Sequence, residues 1–395
     1  MRNGKATILS ALCIDCGECI RVCPHHAKKP VFDGMELLDN YKYNIAMPAP
    51  AIYGQIANMD DIDYVLTALK HMGFDDVFEV AAAAELISEA TRVMMQRGEL
   101  KLPIISSACP VIARLIRIRF PDLCENVLPL LSPMEAGARM ARERAVQETG
   151  LSPQEIGVFF ISPCPAKVTD SKRPRGCETS AVSGVLSIAD IYPRLIQKMN
   201  KITAPEPLAK TGLIGVSWAG SGGESAALLD NSYLAADGIE NVIKVLEEVE
   251  DDKLGHVHFI ELNACPGGCV GGVLTVENPY VAKTRIQLLR KYLPITRNHL
   301  QDKQIPDYMK CSTSIIPSKA LQLSDNIFEA MRMRTEIDKV CKELPGLDCG
   351  SCGAPSCRSL AEDVVKGVAT ENDCVFTLRE RVRELARSMT GLDKI

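Results

Sequence analysis

Nowhere in this sequence does an apolar run approach the roughly 18 residues that a bilayer span requires. Its first residues lack the charged, apolar and small-residue succession of an export signal. Basic residues are not in excess either: 45 Lys and Arg stand against 50 Asp and Glu, a net charge of -5, which leaves no electrostatic footprint for nucleic acid. The expectations are therefore no membrane partner, no nucleic-acid partner and a cytoplasmic location. What is present is enough for two or more globular units, with 395 residues of which 46% are hydrophobic and 24% charged.

Cysteine is abundant, with 16 residues, and without an export signal the thiols are expected to stay reduced and to bind metal where they cluster. They crowd at 13, 16, 19 and 23 and at 341, 349, 352, 357 and 374, with a sparser set at 109, 124, 164, 177, 265, 269 and 311.

The first group, CIDCGECIRVCP, is a C-x2-C-x2-C-x3-C-P run of Cys13, Cys16, Cys19 and Cys23. That is the bacterial ferredoxin spacing for a 4Fe-4S cluster, three thiolates taking successive corners of the cubane. In two-cluster ferredoxins the fourth cysteine serves the other cluster, yet there is no second copy of the run here. The preceding residues read as the join between two ferredoxin halves, so a module missing its first half is expected. Closure of all four thiols on one cluster is the alternative, and zinc a further one.

The last group places Cys349, Cys352, Cys357 and Cys374 in a C-x2-C-x4-C-x16-C pattern, with glycine and proline between the first three. A helical stretch from Ser359 to Val368 returns the fourth thiol. The segment resembles the small 4Fe-4S domain of corrinoid iron-sulfur proteins and of one subunit of membrane electron-transfer complexes; zinc competes with that reading. Cys341 reads as a buried free thiol. Residues 300–325 are polar, hold two prolines and read as a linker that carries Cys311. Thr377 to Met389 reads as a charged helix.

Between these ends, strand-length apolar runs (YNIAM, LPIISS, IGVFFIS, GLIGVSW, HVHFIEL) alternate with helical patterns in DIDYVLTALKHMG, Val80 to Arg97 and MEAGARMARERAVQE, an α/β signature. Three runs end in a cysteine-proline corner: IISSACP at Cys109, FFISPCP at Cys164 and FIELNACP at Cys265, with Cys269 beyond. Ligands of open α/β sheets bind beyond the carboxyl ends of strands, so four thiols are expected at one place, as for a cluster. A single buried cysteine is ordinarily packing, and Cys124 and Cys177 read that way.

In order and context the three corners resemble the signature segments of the iron-iron (FeFe) hydrogenase catalytic domain: ISSACP the first, SPCPAK the second, ELNACPGGCVGG the third. The resemblance implies an α/β domain of mixed sheets flanked by helices, with an H-cluster between lobes. It spans 36–299, after a ferredoxin-type segment at 1–35 and before the linker at 300–325 and the small domain at 326–395. By resemblance Cys109, Cys164, Cys265 and Cys269 hold the cubane, and Cys269 bridges to a diiron unit that carries carbon monoxide, cyanide and a dithiolate. The glycines around Cys269 are expected to leave room for it. Lys167 would donate to one cyanide, with Ala49, Pro50 and Ala51 lining the other side. Two accessory 4Fe-4S clusters, at the two ends of the chain, complete the cofactor set.

The sequence also departs from that family's high-turnover members. Ala108 stands where they have a proton-relay cysteine, Ser162 and Asn263 where they have methionines against the diiron unit, and Ser88 and Glu89 are the nearest match to their relay carboxylates. A methyl group carries no proton, so slow hydrogen oxidation and proton reduction are expected, as in the sensory branch of the family. An ordinary catalytic hydrogenase with another proton route, and a non-enzymatic iron-sulfur protein lacking the diiron unit, are the alternatives. Implied partners are dihydrogen and protons, a redox protein such as ferredoxin, a signalling partner and hydrogenase maturation proteins.

Overall fold

The computed structural model of the chain describes residues 8–392. Seven strands occur among them: β1 (Tyr43–Pro48), β2 (Asp76–Val77), β3 (Ile104–Ile105), β4 (Ile156–Ser162), β5 (Gly184–Ser187), β6 (Tyr233–Asp237) and β7 (Phe259–Asn263). They form a four-stranded sheet, order β2-β1-β4-β5, and a three-stranded sheet, order β3-β7-β6. The sheets, expected to be mixed, are parallel in every ladder. Helices lie between successive strands and return the chain to start each next strand in the same direction.

β4 is buried along its whole length, as an apolar strand covered on both faces must be. Its residues alternate between two cores. Phe159 and Ile161 join Ala46 and Leu186 on one face, while Val158 and Phe160 join Ile45, Met47 and Val185 on the other. The second sheet divides likewise, Ile105, Ile260 and Leu262 facing one core and Ile104 and Phe259 another.

The described chain falls into two compact units, Ile14–Ser318 being one and Lys319 onward with the residues up to Cys13 the other. Two expectations are corrected here. GLIGVSW is not a strand: Leu213–Ser217 is a short helix packed on the helix Val80–Arg97, and a side chain at Gly215 would collide with the Ala81 carbonyl. A short apolar run carries no period that separates helix from strand, so its neighbour decides. The supposed linker is in part core. Leu300, Ile305 and Met309 are buried against the second sheet's core, and Leu131 N–H and Cys311 N–H bond across to Met309 and Pro129 carbonyls.

In the smaller unit the helices Ile327–Glu343 and Cys357–Val365 pack through Ile337, Val340, Leu360 and Ala361, with Cys374 buried beside them and Cys341 partly so. Val375–Leu392 forms the helix expected near the C-terminus.

Candidate functional site

Two of the cysteine-proline corners share one local construction. Cys109 and Cys164 are the N-cap residues of the helices Pro110–Arg119 and Pro165–Lys172, each with proline at the first helical position. Proline there has its backbone preset for the helix and lacks an N–H that would go unpaired. Each thiol thus sits between the end of a strand and the positive end of a helix, where thiolate charge is favoured. Cys265 lies two residues beyond β7, and Cys269 opens a single 3-10 turn, Cys269–Gly271.

All four line one cavity. It lies beyond the carboxyl ends of β1 and β4 in one sheet and of β3 and β7 in the other, the place where α/β sheets bind ligands. Ala49, Pro50, Ala51, Ala108, Lys167 and Asn263 also line it. Lys167 Nζ donates to the Ala108 carbonyl at 3.1 Å. Cys269 has a large accessible surface, yet that surface opens on the cavity, not on bulk water.

Burial, reinforced by the neighbouring thiols, pushes Cys164 well above the ordinary thiol value, Cys265 up to about 11 and Cys269 up to about 12. Sulfurs raised in this way ionise only against strong positive charge, which ligated iron would supply. Among the described residues no three Cys, His, Asp or Glu side chains gather closely enough for a single ion. Four thiols on one cavity are a donor set, in type and number, that fits an iron-sulfur cluster.

Three expectations about this site change. Ser162 does not line the cavity; the chain turns at Pro163, and the buried Ser162 hydroxyl donates to the Cys164 carbonyl at 2.9 Å and accepts from its N–H at 3.0 Å. Neither Ser88 nor Glu89 lines the cavity. Ser88 accepts from Trp218 Nε1 at 3.0 Å and donates to the Ala84 carbonyl, and Glu89 accepts from Leu300 N–H. The glycines beside Cys269 also do something other than clear space for a cofactor. A side chain at Gly268, which has φ 92°, would strike the Gly220–Ser221 backbone, and one at Gly272 the Pro163 carbonyl.

Two functional candidates escaped the sequence reading. Glu224 and Glu261 are buried together on the cavity wall. Burial raises the Glu261 carboxyl, and the donors it accepts from, Gly222 N–H, Ser225 N–H and Asn263 Nδ2, each at 2.9 Å, offset part of that rise. Glu224 has one donor, the Ser106 hydroxyl at 2.6 Å, and burial beside Glu261 holds its carboxyl well above the usual range, so the pair's proton sits on Glu224. Ser106 Oγ in turn accepts from Ala108 N–H at 3.2 Å. The one signal in the sequence was a glutamate inside the apolar run FIEL.

Arg21, within the first cysteine run, donates to the Gly271 carbonyl at 2.7 Å, and its positive charge lowers the Cys265 thiol against the larger effect of burial. Of that run, Cys16 is partly buried, Cys19 lies in the short helix Glu18–Arg21, and Cys23 Sγ accepts from Ala27 N–H. In the smaller unit Cys349, Cys352, Cys357 and Cys374 line a separate small cavity with Gly350, Leu360 and Phe376.

Beneath the Ala49–Ala51 wall, Glu79 accepts from Tyr53 Oη at 3.1 Å and from Lys210 N–H at 2.6 Å. Burial raises its carboxyl from 4.5 to about 7, so the fold favours the protonated acid. Its contribution is complete below the unfolded value and is lost as pH rises through about 7. Glu79→Gln is expected to remove a stability difference of roughly 3 kcal/mol between these limits, read as a flatter pH profile of the melting temperature.

Comparison with known proteins agrees with this geometry. The family profile described as "Iron only hydrogenase large subunit, C-terminal domain" matches residues 42–229 and 222–273. A 4Fe-4S binding domain profile matches 5–27 and an Fe-S cluster profile 344–376. The NADP-reducing hydrogenase subunit HndD of Solidesulfovibrio fructosivorans is 26% identical over 335 residues, 68% of this chain and 56% of that protein. The cytosolic Fe-S cluster assembly factor narfl of Danio rerio is 22% identical over 329 residues, 67% of this chain and 79% of that one. The chain spans about half the length of the hydrogenases it matches, 56% and 50% for the first two. A solved [FeFe]-hydrogenase of Chlamydomonas reinhardtii shares the fold, with a TM-score of 0.50 at 16% identity over 63% of this chain and 83% of that one.

Proposed function

Because the chain belongs to the iron-only hydrogenase large-subunit family, we propose that it holds an H-cluster and activates dihydrogen reversibly at low turnover, as a hydrogen or redox sensor. The observation that carries this reading is the meeting of Cys109, Cys164, Cys265 and Cys269 with Lys167 on one cavity. The four thiols would hold the cubane, Cys269 reaching the diiron unit as well. Lys167, Ala49, Pro50 and Ala51 would flank its cyanide and carbonyl ligands. When bound, that cofactor supplies the iron at which dihydrogen is split or formed.

The chain itself supplies charge balance, protons and an electron path. Lys167 brings a partly buried ammonium to the cavity, where an anionic ligand would find a donor. Ala108 offers a methyl group where a relay thiol would work fastest. Glu224, held protonated beside Glu261 and bonded to Ser106, is the acid that can exchange a proton with the cavity. A site with a proton store but no relay thiol suits slow turnover, and slow turnover suits a sensor. The cysteine runs at the two ends would carry two accessory 4Fe-4S clusters that pass electrons to a ferredoxin-like partner, with a signalling partner reading the state and maturation proteins loading the diiron unit.

The likeness to a cluster assembly factor supports a second reading, an iron-sulfur protein of this fold that never loads a diiron unit. An infrared spectrum of protein made anaerobically with the hydrogenase maturation machinery separates the two. Sharp carbon monoxide and cyanide bands that shift under hydrogen are expected. A blank region in a sample with full cubane occupancy would replace the hydrogenase reading with the assembly-type one.

A further inference from the structure

The helix Val375–Leu392 leaves Val375, Leu378, Val382 and Leu385 exposed, at 43%, 45%, 55% and 63% of their surface. Their spacing of three and four residues places all four on one stripe of the helix. Numbered as a heptad, Val375 and Val382 take the a positions and Leu378 and Leu385 the d positions; in the sequence Met389 and Leu392 continue the series. Exposed apolar residues that repeat every three and four places fit the seam of a coiled coil lacking its other strand.

We propose that this helix pairs with the same helix of a second copy of the chain, as a parallel two-stranded coiled coil. The choice of occupant rests on the residues of the seam and its flanks. Valine at a with leucine at d favours two parallel strands, because the branched and unbranched side chains fill the alternating layers of a parallel dimer. The e positions are Arg379 and Ala386 and the g positions Arg381 and Ser388, so a parallel in-register pair sets Arg381 of one copy near Ala386 of the other and never arginine against arginine. Arg381 is in addition neutralised within its own chain by Glu371, and it also bonds Asn372.

The pairing has a built-in tie to the small cluster site. Cys374 immediately precedes the helix, and Val375 and Phe376 in its first turn line the same cavity as the four thiols. Parallel pairing therefore brings two such cavities side by side at one end of the coiled coil, whether or not a diiron unit is loaded elsewhere in the chain.

The test uses the full chain with its clusters, under anaerobic sedimentation velocity. A dimer is expected at about 10 μM. Val382→Asp combined with Leu385→Asp is expected to give a monomer with unchanged iron content and unchanged cluster EPR. A photocrosslinker at Leu385 is expected to join the second copy near its own Leu385. A wild-type chain that stays monomeric, or a dimer that survives both aspartates, would overturn the proposal. Crosslinks to the second copy's Val375 end would overturn its parallel form. A monomer that binds a synthetic helix with the same a and d residues but acidic flanks would assign the stripe to a foreign acidic helix instead.

Discussion

Glu224→Gln is expected to lower hydrogen turnover of the matured protein by roughly 100-fold or more, the ordinary contribution of a positioned acid-base group. Glu224 is the member of its buried pair that carries the proton, because Glu261 has three donors and Glu224 only the Ser106 hydroxyl. Glutamine reproduces the shape and neutrality of that protonated acid, and its carbonyl can still accept from Ser106, so folding and cofactor loading should be preserved. What it cannot do is release a proton. Dye-linked hydrogen oxidation measured beside the infrared spectrum checks this. Unchanged turnover with intact carbon monoxide and cyanide bands would remove Glu224 from the proton route.

The opposite change is expected at the neighbouring wall. Ala108→Cys should raise turnover by about 100-fold by restoring a titratable group where the chain has a methyl. The position is held from both sides, its N–H on Ser106 Oγ at 3.2 Å and its carbonyl accepting from Lys167 at 3.1 Å, so a thiol enters the cavity without rearranging the backbone. A fully loaded variant no faster than the parent would mean that proton supply does not limit the rate. Adding Glu224→Gln to Ala108→Cys asks whether the new thiol draws on that acid: a gain that disappears places the two groups in series.

Much of this site was legible because its chemistry is carried by local devices. A strand that ends in cysteine and proline delivers a thiol to a strand end whatever the rest of the chain does, and three such corners sufficed to foresee that Cys109, Cys164 and Cys265 meet. Glu224 and Glu261 were not legible, since their pairing depends on a short helix closing on a strand, Ser225 of the one bonding Glu261 of the other 36 residues further on. Ser162 was misplaced because its face depends on where the chain turns after β4. The stretch from Leu300 to Met309 looked like a linker because three buried apolar residues are dispersed among polar ones, and only their packing identifies them as core. GLIGVSW failed for the opposite reason, being apolar enough for either kind of element.

The glycines of the Cys269 loop also bear on how relatives of this protein diverge. Gly268 and Gly272 are pressed against the protein's own backbone, at Gly220–Ser221 and at Pro163. A lineage that stopped loading a diiron unit would still be unable to replace them, because what excludes a side chain is polypeptide and not cofactor. Persistence of these glycines through descent is therefore not by itself a record of cofactor loading. Any record of lost chemistry would lie in the drift of Cys269, since Lys167 keeps its bond to the Ala108 carbonyl whether or not a cofactor is loaded.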